Sequence, residues 1–293
     1  MNRMFETLRV GVPTPTLSIR IASVGAALFL LLGAAAGFHA GSAHAAACGD
    51  DVDGRRIPCA CGDVVVSDTR LQATDPVTTD RCSRDGLFLR ARAGARSLRL
   101  DVAGLSILGT GIGSGIRVVD GGDLGALITG GDAARGQIAG FDTGIFAHGR
   151  DAVAEVRNLT VQGNVSDGVV IRSSGVKVTE VTAHRNGRDG LRISGHGSEL
   201  SGVEATSNNN VGLRLDGSAN NVQARLSDNG KDGARIGGRG HDLTRVKSSG
   251  NRGRGIVLSG DGHKVDRSRT KSNEGGDIVG PGVPDGRSAE VGR

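Results

Sequence analysis

From about residue 164 onward the chain alternates apolar and polar residues in short pieces, and the pieces recur. With a recurring glycine taken as origin (Gly168, Gly190, Gly212, Gly233, Gly255), apolar residues stand one and three positions later: Val169/Ile171, Leu191/Ile193, Leu213/Leu215, Ala234/Ile236 and Ile256/Leu258. Apolar residues return at plus ten (Val178, Leu200, Val222, Leu243, Val265) and, as Val181, Val203 and Val246, at plus thirteen. Small residues fill plus fifteen: Ala183, Ala205, Ser227, Ser248 and Thr270. Apolar pairs two apart, bounded by Gly, Asn, Ser and Asp, predict short half-buried strands ended by turns. No apolar i, i+3, i+4, i+7 face runs through the region, so no helix is expected there. Arg225 and Ser268 take plus thirteen in two units, and the core is expected to shift register at both.

An asparagine precedes each origin by four: Asn164, Asn186, Asn208, Asn229, Asn251 and Asn273, the last origin being filled by Asp277. The intervals are 22, 22, 21, 22 and 22 residues. A unit of about three strands and three bends cannot bury its own apolar stripe, so neighbouring units must stack. At about 3.3 Å per residue, 22 residues trace a closed coil of roughly 70 Å perimeter, with successive coils about 4.8 Å apart. Equivalent residues then form vertical files. Stacked asparagine amides donate and accept along such a file, and the glycines are expected to allow bends with positive φ.

The pattern Asn-x-x-Asp-Gly-apolar-x-apolar at this interval resembles the right-handed parallel β-helix, the pectate-lyase-like superfold. Cys59-Ala-Cys-Gly-Asp-Val-Val-Val-Ser-Asp-Thr, Cys82-Ser-Arg-Asp-Gly-Leu-Phe-Leu and Ser97-Leu-Arg-Leu-Asp-Val-Ala-Gly-Leu-Ser-Ile resemble the start of bacterial secreted proteins of this kind. The resemblance covers roughly residues 48–280. It implies an all-β solenoid and leaves the activity open, because this fold hosts many chemistries. Upstream coils are longer: Gly86, Gly115 and Gly144 are 29 apart, and Gly168 follows after 24. Insertions leave a solenoid as loops, and Asp120–Gly140 is the expected one.

Composition sets the compartment and narrows the partners. Arg3, Arg9 and Arg20 precede an apolar run from Ile21 to Phe38 and an Ala43-His44-Ala45 cleavage signal, so residues 1–45 are expected to be an export leader, or an uncleaved anchor. A Cys-rich cap at 46–85, the β-helix at 86–280 and a disordered tail at 281–293 complete the expected organisation. Cys48, Cys59, Cys61 and Cys82, an even count in an exported chain, predict two disulfides in one of three pairings, stapling a cap over the first coil. The expected location is secreted, periplasmic or cell-surface. The net charge of +5 is too mild, and aromatic residues too few, to expect nucleic acid. No membrane association is expected beyond the leader, and no cofactor or metal.

Candidate chemistry lies in files. Asp167 and Asp189 precede their origin glycines on adjacent coils, with carboxylates expected about 5 Å apart, the separation of retaining glycosidases. Asp-Gly is also a turn dipeptide that recurs with the fold. At plus two, expected to face outward, Arg192, Arg214 and Arg235 form a file that Arg117 joins from upstream: a solvated face with local ion pairs, or a basic strip for an acidic polymer. Phe146, at plus two, is expected to face outward, and Phe141 and Phe146 together make a thin sugar platform at best. Gly195-His196-Gly197 resembles a polygalacturonase motif whose companion motifs are missing, so His196 is expected to be an exposed turn residue. His241 and His263 stand one coil apart with no third metal ligand, again as exposed turn residues. The reading is an exported β-solenoid with a structural, adhesive or glycan-binding role toward an acidic polysaccharide or cell-surface glycan. The alternative is a lyase, hydrolase or epimerase, with Asp167 and Asp189 as acid and base and Arg192 and Arg214 on uronate groups.

Overall fold

The computed structural model describes residues 45–90, 92–119 and 124–281. The expected leader and, past Pro281, the expected tail lie outside the described residues. The described chain winds into a parallel β-solenoid of about ten turns whose strands stack into two sheets, of 12 and 14 strands. Apart from the antiparallel pair Ala47–Val52 and Arg55–Ile57, neighbouring strands are parallel and joined coil to coil. Leu191 pairs with Leu213, Leu213 with Ala234 and Ala234 with Ile256, so equal positions stand in vertical files. The apolar residues at plus one, plus three and plus ten line one continuous buried core, with Val265 of the last coil only partly covered. Among the described residues the one α-helix is Pro76–Thr79.

The asparagine file is an amide ladder. Each Nδ2 donates to the Oδ1 of the asparagine one coil later at 2.8–3.1 Å. The same Oδ1 also accepts the earlier asparagine's backbone N–H at 3.0–3.2 Å. From Asn186 onward the second Nδ2 hydrogen reaches back to a carbonyl of the preceding coil, from Val161 for Asn186 to Ser248 for Asn273, at 3.1–3.2 Å. Buried amides are tolerated only when satisfied in this way. At the top, Asn164 Oδ1 accepts the N–H of buried Phe141, so the aromatic ring closes the file where the longer coils begin.

The ladder also corrects the reason for the origin glycines. None of Gly168, Gly190, Gly212, Gly233 and Gly255 has positive φ. A Cβ on Gly190 would instead stand 2.7 Å from both Asn208 Nδ2 and the Gly212 carbonyl oxygen. The side chain is excluded by the next coil's asparagine. The final origin has no asparagine one coil beyond it among the described residues, and there a side chain, Asp277, is accommodated. Positive φ belongs to three of the four glycines at plus five, Gly217, Gly238 and Gly260, and not to Gly195.

The second sheet turns a corner at one left-handed residue per coil: Asn158, Glu180, Gly202, Arg245 and Arg267, at φ between 47° and 63°. One such residue reverses the in/out parity of the strand, which is why core positions fall at plus ten and plus thirteen. The 21-residue interval marks the coil that lacks it. There Asn221–Ser227 runs straight, Val222, Ala224 and Leu226 alternate into the core, and Val203 pairs with Ala224. The plus-fifteen place is therefore filled by Leu226, not Ser227, and Arg225 faces solvent with no loss of core. Nor does the core shift at Ser268, which is buried, accepts the Val246 N–H at 3.1 Å and lies 3.3 Å from the Leu243 carbonyl.

Two upstream expectations change. Asp120–Gly140 is not a loop throughout: Ala126–Thr129 and Gly136–Ala139 are strands of the second sheet, and Ile128 and Ile138 are buried. The Cys-rich segment is itself part of the stack, with Asp63–Val65 pairing in parallel with Leu87–Leu89. Its disulfides join Cys48 to Cys59 and Cys61 to Cys82, closing loops of 11 and 21 residues. Buried Asp75 takes both its oxygens to Arg56 at 2.8 Å and fastens the same segment.

Candidate functional site

The outward plus-two file of the first sheet places Arg192, Arg214 and Arg235 side by side, as the period requires. Beneath them lie Asp167, Asp189 and Asp232, all buried. Each of these carboxylates uses Oδ1 to accept the N–H of the equivalent residue one coil later: Asp189 at 2.9 Å, Val211 at 3.2 Å and Arg254 at 2.8 Å. Asp85 does the same for Ser114 in the longer coils, at 2.8 Å. The other oxygen holds an arginine. Asp189 Oδ2 accepts from Arg192 at 3.2 Å and from Arg214 Nε at 2.9 Å, and Asp232 Oδ2 from Arg235 Nε at 2.5 Å. Asp167 Oδ2 stands 3.8 Å from Arg192. Burial by itself would raise the Asp189 pKa, but the hydrogen bonds and charge of Arg214, with the Val211 N–H and Asn210 amide, outweigh it and hold the carboxyl below its ordinary range. Three arginines are thus matched by three acids, and the recurring aspartates serve as coil-to-coil acceptors.

The aromatic and histidine candidates separate. Phe146 faces outward, half-buried, with the Arg117 guanidinium 5.3 Å from its ring centroid, while Phe141 is wholly inside. His196 is exposed, its Nδ1 2.9 Å from Ser218 Oγ. His241 is not an exposed turn residue. It is buried in a second side-chain file running Ser198, Asn220, His241, His263, in which each polar side chain accepts the N–H of the residue one coil earlier. Its ring stacks on His263 with centroids 5.1 Å apart and planes at 5°. Burial depresses the His241 pKa, partly offset by the Gly237 carbonyl 3.0 Å from Nε2, while the His263 charge depresses it further. Among the described residues no cluster of three or more His, Cys, Asp or Glu is placed to hold a metal ion.

A groove missed by the sequence reading lies along the corner of the second sheet. It has a volume of about 590 Å³, and its basic lining is Arg225, Arg245, Lys247, Arg267 and Arg269, against Glu180 and Glu204 toward the earlier coils. One side is the in-register file Glu204, Arg225, Lys247, Arg269. The other consists of the left-handed corner residues Arg245 and Arg267. Arg225 approaches Glu204 at 3.8 Å and Arg267 approaches Asp266 at 3.4 Å, both on exposed side chains where such pairs contribute little. Arg245 and Lys247 form no ion pair among the described residues. The signal was present in the sequence as five cations recurring near the coil interval. It was obscured because the missing residue displaces Arg225 by one position.

One family model agrees with this architecture. Residues 143–280 match the sequence model of the right-handed β-helix region. No curated protein matches the chain. In structure it is similar to the A-module of Azotobacter vinelandii mannuronan C-5 epimerase AlgE6, at 14% identity over 74% of this chain and 69% of that one, with a TM-score of 0.45. It is similar also to the AlgE4 A-module (17% identity, 73% and 70% covered, TM-score 0.44). A third similar structure is the enzymatically active domain of bacteriophage CBA120 tailspike protein 2 (14% identity, 73% of this chain but 38% of that one, TM-score 0.40). Residues 143–280, then, match a right-handed β-helix region, set within a parallel solenoid that begins upstream of it.

Proposed function

We propose that the protein is an exported, non-catalytic β-solenoid that holds an acidic glycan along the corner groove of its second sheet. The observation that carries this reading is the concentration of five cations against two carboxylates in one groove, two of the cations having no ion pair among the described residues. Files of cations one coil apart, about 4.8 Å, present charge at intervals comparable with the length of one sugar residue. That suits a polymer with a carboxylate on each unit, and guanidinium forks suit carboxylates. The scarcity of aromatic platforms supports recognition by charge instead of stacking on sugar faces. Export is supported by two disulfides, which persist in oxidising compartments.

The geometry does not favour acid/base work by Asp167 and Asp189. A general acid needs a raised pKa and access to substrate, whereas Asp189 is buried, doubly paired and held ionised. The test is a panel of polyuronates and neutral glycans, scored for binding and for new reducing ends or unsaturated products. Salt-sensitive binding of polyuronates without product is expected, with loss of binding in Arg245→Glu/Lys247→Glu. Product formation, or binding unchanged in that variant, overturns the reading.

A further inference from the structure

A second cleft, of about 530 Å³, follows the turn that leaves the first sheet. Its floor includes Gly149, Gly195 and Gly217. A Cβ on Gly217 would run into the Gly195 carbonyl and one on Gly195 into that of Ser173, while Ser173 in the same file turns its hydroxyl to the Arg150 carbonyl at 3.0 Å. The flanking positions supply the walls. On one side His148 pairs in register with Arg172, and two coils beyond Arg172 stands Asp216. On the other, the Ser174 N–H donates to the Arg150 carbonyl and Ser174 Oγ accepts the His196 N–H, placing Arg150, Ser174 and His196 in successive coils. Arg150 and Arg172 are exposed, stand on opposite walls one coil apart, and form no ion pair among the described residues. His196 engages Ser218 Oγ through Nδ1, leaving Nε2 for a ligand.

We propose that this cleft binds one compact tetrahedral oxyanion, the sulfate or phosphate ester of a glycan substituent, between Arg150 and Arg172, with Ser174 and His196 as further donors. A carboxylate is planar and is satisfied by a single guanidinium fork. Here donors approach from two walls and three coils, which suits oxygens pointing in several directions. Asp216 at the far end repels a second anion, so the cleft takes one group where the corner groove takes a run of them. The site stands on its own residues and does not depend on the groove.

The test titrates the protein with sodium sulfate, sodium phosphate and sodium acetate at constant ionic strength and pH, following the His148 and His196 ring-proton NMR signals, assigned with His148→Gln and His196→Gln. Saturable shifts with sulfate or phosphate are expected, at least tenfold weaker in Arg150→Ala/Arg172→Ala and unchanged in Arg245→Glu/Lys247→Glu. Glucose 6-sulfate and glucose 6-phosphate then distinguish the two esters. Shifts that never saturate, that persist in the Arg150/Arg172 variant, or that acetate reproduces overturn the proposal. Cleft binding without polyuronate binding would remove the proposed function and leave this site standing.

Discussion

Two files of stacked cations run along this solenoid, and they behave differently. On the first sheet Arg192, Arg214 and Arg235 lie over buried Asp167, Asp189 and Asp232, and their charge is spent within the molecule. On the second-sheet corner Arg225, Lys247 and Arg269 stack at the same interval, but the acids within reach are few and exposed. Like charges about 4.8 Å apart repel in both places. In the first, that cost is offset inside the fold. In the second, Arg225 has only the exposed Glu204 side chain at 3.8 Å, and at Lys247 the cost is left for solvent, salt or a polyanion to offset. The difference follows from the place before the origin glycine: Asp167, Asp189 and Asp232, which satisfy the next coil's N–H, bring carboxylates beneath the first file, Asp189 reaching Arg214 of the following coil, and no such requirement acts at the corner.

The comparison breaks most visibly at Asp189. Removing it as Asp189→Ala leaves two half-buried guanidinium groups and the Val211 N–H without their acceptor, and a loss of about 3–5 kcal/mol is expected from chemical denaturation. Lys247→Ala, across the molecule, should stay within about 0.5 kcal/mol of the parent. Equal effects would erase the distinction between the two files. Next in size is Asn208→Ala, which orphans the Asn186 N–H and the Ala183 carbonyl; about 2–3 kcal/mol is expected in the same measurement. In the corner groove, Arg245→Glu/Lys247→Glu should weaken polyuronate binding tenfold or more and flatten its salt dependence, as read by calorimetry at two ionic strengths. Arg192→Glu would lower stability before it lowered affinity.

The smallest effect concerns pH. The fold holds His241 neutral, so the unfolded chain binds more protons once pH falls below the ordinary histidine range. Its contribution to stability is therefore full above about pH 6.5 and is lost as pH drops through the depressed value. Melting temperature should decline more steeply between neutral and mildly acidic pH in the parent than in His241→Asn, which borrows the side chain that Asn220 uses in the same file. Identical profiles would show that His241 does not carry this dependence.

The sequence by itself determined the period, the strands and the amide ladder. Each of these repeats every coil, and local rules act identically on every copy. It also placed Arg192, Arg214 and Arg235 in one outward file. Which of three possible partners each cysteine takes, which arginines are neutralised, and that His241 is buried while His196 is exposed were decided only by the tertiary structure. Those outcomes depend on contacts the period does not specify: separations of 11 and 21 residues for the disulfides, and of 3 and 25 for the hydrogen bonds of Arg192 and Arg214 to Asp189. A single missing residue at the corner of one coil is enough to move Arg225 from an expected core position to the wall of a groove.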